Sequence, residues 1–139
     1  MKSKKKQKNI SRYVKLEDYK VFDYEIPEIF LDFEIKKNAV NVKTILKLQR
    51  RNKNTKNLIL DGTDILVNKI YLDDSLLEEQ YYIQQKNNLK IKNINKDIFS
   101  LKIEGTIKPK ENSSLLGMYE SNGIITTQCE AEGFRRISY

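Results

Sequence analysis

The stretch EIFLDFEIK, residues 28–36, has the two-residue period of a β-strand. One face carries Ile29, Leu31, Phe33 and Ile35, and the positions between them hold Phe30, Asp32, Glu34 and Lys36. The same period returns in VNVKTILKLQ, residues 40–49, through Val40, Val42, Leu46 and Leu48. The residues KKNA that join the two stretches are typical of a hairpin turn. This region therefore predicts an antiparallel pair of strands.

The alternation of apolar and polar residues recurs at intervals of about ten residues along the rest of the chain. The segments that predict further strands are NLILDG (57–62), ILVNKIYL (65–72), LKIKNI (89–94), FSLKIEGTI (99–107) and GIITTQCE (123–130). In FSLKIEGTI the residues that share one face are Phe99, Leu101, Ile103 and Ile107. We therefore expect an all-β fold, either an antiparallel β-sandwich or a curved sheet. One face of each sheet is then exposed to water or covered by something else.

The segment SLLEEQYYI, residues 75–83, leaves two alternatives open. Ser75, with Glu78 three residues on, fits the cap of a helical turn, whereas the aromatic residues favour a strand. A turn is expected after Pro109.

The positive charge of the chain is concentrated at its N-terminus. The formal net charge is +7, and residues 1–15 supply all of it because they contain seven bases and no acid. The remaining 19 bases balance 19 acids. Short basic tails are usually solvated, so we predict a disordered basic tail over residues 1–12 and one β domain over residues 13–139. The alternative is a weak electrostatic contact between the tail and RNA or an anionic surface.

The composition excludes several kinds of active site. The chain has no histidine and a single cysteine, Cys129. A zinc site built from imidazoles and thiolates is therefore excluded, as are Ser-His-Asp and Cys-His catalysis. An internal disulfide framework is excluded as well, and we expect a reducing, cytoplasmic location. No apolar stretch approaches the roughly 20 residues that span a bilayer, so no membrane segment is expected.

The segment TTQCEAEGFRRISY, residues 126–139, holds the densest group of functional side chains. If TTQCE is extended, Gln128 and Glu130 lie on one face and Cys129 lies on the other. An amide oxygen beside a carboxylate forms an acceptor pair that suits an ammonium group. The competing interpretation is an exposed surface on which acids and bases pair, formed by Glu130, Glu132, Arg135 and Arg136. For Cys129 we predict packing in the core.

Several segments resemble the first domain of bacterial aminopeptidase N, the alanyl-type zinc aminopeptidases. TQCEAEGFRRISY, residues 127–139, resembles the block that ends this domain in the family. The preceding IKPKENSSLLGMYESNG is similar to the family pattern Asn-x-x-Leu-x-Gly-Leu-Tyr, matched by Asn112, Leu115, Gly117 and Tyr119 with Met118 in place of leucine. DYKVFDYEIPEIFLDFEI and LILDGTDILVNKIYLDD resemble the opening and middle strands of that domain. The resemblance extends from about Leu16 to Tyr139.

The resemblance implies a saddle-like N-terminal β domain that precedes a zinc-bearing catalytic domain. Gln128 and Glu130 match the family residues that bind the substrate's free α-amino group at the rim of the active site. The family signatures Gly-x-Met-Glu-Asn and H-E-x-x-H are absent from this sequence. We therefore expect the chain to stop at a domain boundary, to hold no catalytic residue and no metal ligand, and to be inactive alone.

The resemblance implies a zinc-dependent aminopeptidase, a hydrolase that acts on peptides with a free N-terminus. Zinc would belong to the full-length enzyme, and this domain would pack on the catalytic zinc domain. Specific nucleic-acid binding is not expected on this interpretation. The alternative function is a stand-alone β-sandwich module that contacts nucleic acid through its basic tail.

Overall fold

Ten β-strands and four 3-10 turns form residues 15–139, which are the residues that the computed structural model describes. The strands are β1 Tyr24–Ile35, β2 Val40–Arg50, β3 Leu58–Asp61, β4 Leu66–Leu72, β5 Ser75–Leu76, β6 Tyr82–Gln84, β7 Asn88–Ile91, β8 Ile98–Ile107, β9 Gly117–Ser121 and β10 Ile124–Gln128. The 3-10 turns are Leu16–Asp18, Glu79–Tyr81, Pro109–Glu111 and Gly133–Arg136. None of the described residues forms an α-helix, so the predicted all-β class is confirmed. The predicted disordered tail, residues 1–12, lies outside the described residues.

Three antiparallel sheets make up the fold. A five-stranded sheet has the order β1-β2-β8-β4-β5, a three-stranded sheet has the order β3-β7-β6, and β9 pairs with β10 as a hairpin. The predicted turn between β1 and β2 is present, because the Lys36 N–H donates to the Ala39 carbonyl at 2.9 Å. The turn expected at Pro109 is the third 3-10 turn. The large and small sheets form the two layers of a sandwich.

The core has two parts, both on the inner face of the large sheet. The first part joins the two sheets and contains the buried residues Leu46, Leu48, Ile70, Phe99, Leu101 and Ile103 of the large sheet with Leu58, Leu60, Leu89 and Ile91 of the small one. The second part contains Val40, Val42, Ile65, Ile107, Met118 and Ile137. The C-terminal segment thus closes one end of the sandwich. The face predicted for FSLKIEGTI is buried, as expected from its alternation.

Strand β1 continues the large sheet beyond the second layer. Ile35 lies directly opposite Val40, and Phe33 opposite Val42, yet both β2 residues are buried while Ile35 is 62% and Phe33 38% exposed. Ile29 is 56% exposed on the same face. The alternation of this stretch correctly predicted the strand. Within residues 15–139, however, its apolar face is left largely exposed at Ile29 and Ile35.

The ambiguous segment SLLEEQYYI contains both kinds of structure. Ser75 begins β5 and does not cap a helical turn, so that alternative is wrong. The 3-10 turn begins later, at Glu79, and has no side-chain cap. Strand β6 then contains the aromatic Tyr82, as the strand interpretation predicted. No helix within residues 15–139 has the length and apolar character needed to cross a membrane.

Candidate functional site

Strand β10 ends at Gln128, two residues before Glu130. The predicted strand GIITTQCE is therefore too long, and the prediction that Gln128 and Glu130 share a strand face is wrong. Cys129 leaves the sheet, and Glu130 and Ala131 lie in a turn joined by a cis peptide bond. The physical reason is a backbone turn that the sequence pattern does not show, closed by the Gly133 N–H donating to the Cys129 carbonyl at 3.0 Å.

The turn nevertheless brings the Gln128 side chain to the backbone of Glu130. The Glu130 backbone N–H donates to the Gln128 Oε1 at 3.0 Å. Both residues are exposed. An amide oxygen has two lone pairs, so Oε1 keeps one acceptor position free after this bond. The Glu130 carboxylate and the remaining acceptor position of Gln128 thus belong to two exposed residues that the same turn connects.

Ion pairs surround this turn without including Glu130. Arg135 Nη2 lies 3.4 Å from Asp61 Oδ2 and 3.6 Å from Glu132 Oε1. Arg136 pairs with Asp64. Among residues 15–139, Glu130 takes part in no ion pair of this kind. The surface-pairing interpretation is therefore correct for Glu132 with Arg135 and wrong for Glu130.

The C-terminal segment anchors the turn to the rest of the domain. The Thr63 N–H donates to the Arg135 carbonyl at 2.8 Å. The hydroxyls of Thr44 and Ser138 are both buried and lie 2.6 Å apart. Half-buried Tyr139 accepts a hydrogen bond from Gln84 Nε2 at 3.1 Å, and burial raises the pKa of its phenol. The segment that follows Glu130 is thus fixed to the sandwich at several points.

Cys129 packs against the second part of the core and is half-buried. This position confirms the prediction of a packing role. We assign no chemical role to its thiol.

Sequence reasoning did not predict the contact between two glycines that shape this site. Gly117 begins β9, and Gly133 begins the last 3-10 turn. Both are buried, and each packs against the other's backbone. Their presence in the matched family blocks was the available signal. The hairpin that Gly117 starts was not predicted either.

No zinc site can be built from the described residues. The whole chain lacks histidine and has one cysteine. Within residues 15–139 no group of three or more cysteine or acidic side chains lies close enough to hold a metal ion. Zinc in proteins is held by three or four nitrogen, sulfur or oxygen ligands. The residues of this chain therefore do not fit that metal.

The acceptor pair does not line the groove beside Arg136. That groove has a volume of about 310 Å³ and is lined by residues that include Asp64, Leu66, Met118 and Arg136, but neither Gln128 nor Glu130. Ligand sites are usually concave. Two exposed acceptors at the edge of a domain can form a concave ligand site only if another surface faces them.

Known proteins resemble the chain over most of its length. No family model matches it. Aminopeptidase N of Haemophilus influenzae is 36% identical over 122 residues, which are 88% of this chain and 14% of that protein. The structure of Legionella pneumophila aminopeptidase A in complex with aspartic acid matches with a TM-score of 0.81 at 32% identity, over 91% of this chain and 15% of the other. An M1 zinc metallopeptidase from Deinococcus radiodurans, solved with a Tyr-Ser-Ala substrate, has a TM-score of 0.63 at 12% identity over 81% and 28% of the two chains, a likeness of fold alone.

The fold is that of a β domain found in M1 zinc metallopeptidases. Together with the sequence identity, it shows that the chain is homologous to a part of aminopeptidase N. The chain spans 14% of the length of the Haemophilus influenzae relative.

Proposed function

We propose that this chain is the N-terminal domain of a zinc aminopeptidase that removes N-terminal residues from peptides, and that it binds the substrate's free α-amino group. The observation that carries the proposal is the turn after β10, which presents Gln128 and Glu130 together in a family of aminopeptidases. The relative solved with aspartic acid supports a ligand of amino-acid class.

The chemistry of the pair suits an α-ammonium group. An ammonium has three N–H donors and no acceptor. The Glu130 carboxylate supplies charge and two acceptor oxygens, and the second lone pair of Gln128 Oε1 supplies a neutral acceptor. Because Glu130 is engaged in no ion pair with the other described residues, its charge is available to a ligand. The pair therefore limits binding to substrates whose N-terminus is free.

The remainder of the longer protein would supply the hydrolytic chemistry. The residues of this chain do not fit zinc, so no chemical step is assigned to them. The exposed apolar face of β1, formed by Ile29, Phe33 and Ile35, would pack on the catalytic domain and become buried there. The same packing would place a surface of the catalytic domain opposite Gln128 and Glu130. The location proposed for the complete enzyme is the cytoplasm.

Two assays test the proposal. The longer protein should hydrolyse a chromogenic aminoacyl anilide, whereas the 139-residue chain alone should neither hydrolyse it nor bind zinc tightly in calorimetry. Turnover that stays with the purified chain after a change of affinity tag would contradict this division of roles.

The second assay compares variants of the longer protein. A neutral hydrogen bond contributes about 0.5–1.5 kcal/mol, so Gln128→Ala should lower kcat/KM roughly 2- to 13-fold. Thr127→Ala, an exposed neighbour on the same strand, is the matched control and should have no effect. If Gln128→Ala and Thr127→Ala give the same kcat/KM, Gln128 does not take part in binding.

A further inference from the structure

We infer that Gly133 is a positioning residue for the amine-binding pair, because its missing side chain fixes where the turn carrying Glu130 lies. This inference rests on the proposed function. In that function Gly133 contacts no substrate atom and acts through Gln128 and Glu130.

The contact at Gly133 is between backbones. A Cβ atom at this position would overlap the carbonyl oxygen of Gln128, and it would lie 3.0 Å from the carbonyl carbon of Gln128 and 2.9 Å from the amide nitrogen of Gly117. The Gly133 N–H also donates to the Cys129 carbonyl, which closes the turn around Glu130. Gly133 thus touches the last residue of β10, the first residue of β9 and the turn itself.

The atoms closest to Gly133 belong to the backbone, so a change of side-chain rotamer cannot make room for a Cβ atom. Backbone atoms of Gln128 and Gly117 are fixed by the β9–β10 pairing, in which these two residues lie opposite each other. On the other side, the segment after Gly133 is held by Thr63 and by buried Ile137. Non-bonded heavy atoms prefer separations of about 3.5–4.0 Å, so an alanine here would move the turn by about 1 Å or more.

A displacement of this size changes the geometry of the amine-binding pair. The hydrogen bond from the Glu130 N–H to Gln128 Oε1 spans the same turn. Both acceptors would therefore shift together relative to the surface of the catalytic domain that faces them. A misplacement of about 1 Å in a catalytic arrangement can cost about 100-fold in rate.

A double-mutant cycle in the longer protein tests the inference. Gly133→Ala should lower kcat/KM by about 10- to 100-fold for a free-amine substrate. In a Glu130→Ala background the same substitution should cost less than about threefold, since residues that act through one group are not additive. Gly105→Ala is the matched control, because Gly105 is a buried glycine of β8 whose Cβ would lie 3.0 Å from Ile65 Cγ2. It should change kcat/KM equally little in both backgrounds.

The outcomes separate this inference from the proposed function. If Glu130→Ala alone leaves kcat/KM unchanged, the proposed function fails. If Glu130→Ala lowers kcat/KM but Gly133→Ala costs the same factor with and without Glu130, the positioning role is overturned and the proposed function stands.

A milder variant covers the case in which Gly133→Ala does not accumulate as folded protein. Arg135→Ala removes the ion pairs to Asp61 and Glu132 that tie this turn to β3. We expect a smaller loss of kcat/KM, about threefold, which disappears in the Glu130→Ala background. A loss that is absent, or equal in both backgrounds, overturns the inference.

Discussion

Replacing Ile35 by serine should leave the isolated domain folded and weaken its binding to the remainder of the enzyme. Ile35 is the last residue of β1 and is 62% exposed, whereas Val40 directly opposite on β2 is 0% exposed. The two side chains lie on the same face of the sheet. Other residues cover Val40 completely and leave most of Ile35 exposed, so the two positions form a matched pair for comparing buried and exposed apolar side chains.

The size of the effect follows from these exposures. Complete burial of an isoleucine side chain contributes about 1.5–3 kcal/mol. With 62% of Ile35 still exposed, docking has about 1–2 kcal/mol left to gain there, roughly a 5- to 30-fold change in Kd. In the isolated domain the substitution should cost only roughly 0.5–1 kcal/mol. Val40→Ala should cost the isolated domain about 2–3 kcal/mol, because two buried methyl groups are lost and a cavity remains.

Two measurements check the prediction. Urea denaturation of the 139-residue chain gives the free energy of unfolding for each variant. Titration of the chain into the separately expressed remainder of the enzyme gives Kd. If Ile35→Ser binds within twofold of the wild-type Kd while it is folded, the inner face of β1 is not the docking surface and the proposed packing is wrong.

Two further predictions concern stability. Hydrogen bonds from Lys96 Nζ and from the Ser100 N–H hold the pKa of Asp73 below its ordinary value, so its contribution to stability is present above the unfolded pKa of about 3.9 and is lost as pH falls through the lower folded pKa. In Asp73→Asn the free energy of unfolding should therefore fall less steeply below about pH 4 than in the wild type. An unchanged pH dependence of this free energy, measured by urea denaturation, would refute the prediction. Ile137→Ala should lower the unfolding free energy by about 2–5 kcal/mol, because the side chain is 3% exposed in the second part of the core. A melting temperature within about 2 °C of wild type would show that the C-terminal segment does not close the sandwich.

The strands that were predicted from the sequence share one property. In β1, β2 and β8 apolar residues recur at every second position over most of the strand, and this alternation predicts both the strand and the face. Whether a face is covered depends on a second layer that local pattern does not describe. This is why Ile35 and Val40 look alike in the sequence and differ completely in exposure.

The candidate site shows the same limit at closer range. Gln128 and Glu130 were predicted because their residue types suit an ammonium and match a family block. The strand predicted between them was wrong, because the chain turns where Gly133 packs on the Gln128 backbone. Contacts between residues distant in sequence, such as Gly117 with Gly133, leave no periodic signal. The hairpin of β9 was missed for a related reason, since GMYES has no alternation of apolar and polar residues.

The kcat/KM of Glu130→Ala in the full-length enzyme is the most direct test of the amine-binding role. A hydrogen bond to a charged group contributes about 1.5–3 kcal/mol, so kcat/KM for a peptide with a free N-terminus should fall about 10- to 200-fold. Discrimination against the N-acetylated peptide should fall with it, because the ammonium is what Glu130 recognises. Glu132→Ala, which removes a neighbouring exposed carboxylate, is the control and should stay within about twofold of wild type. A value for Glu130→Ala that also stays within about twofold, with folding and zinc content intact, would contradict the assigned role.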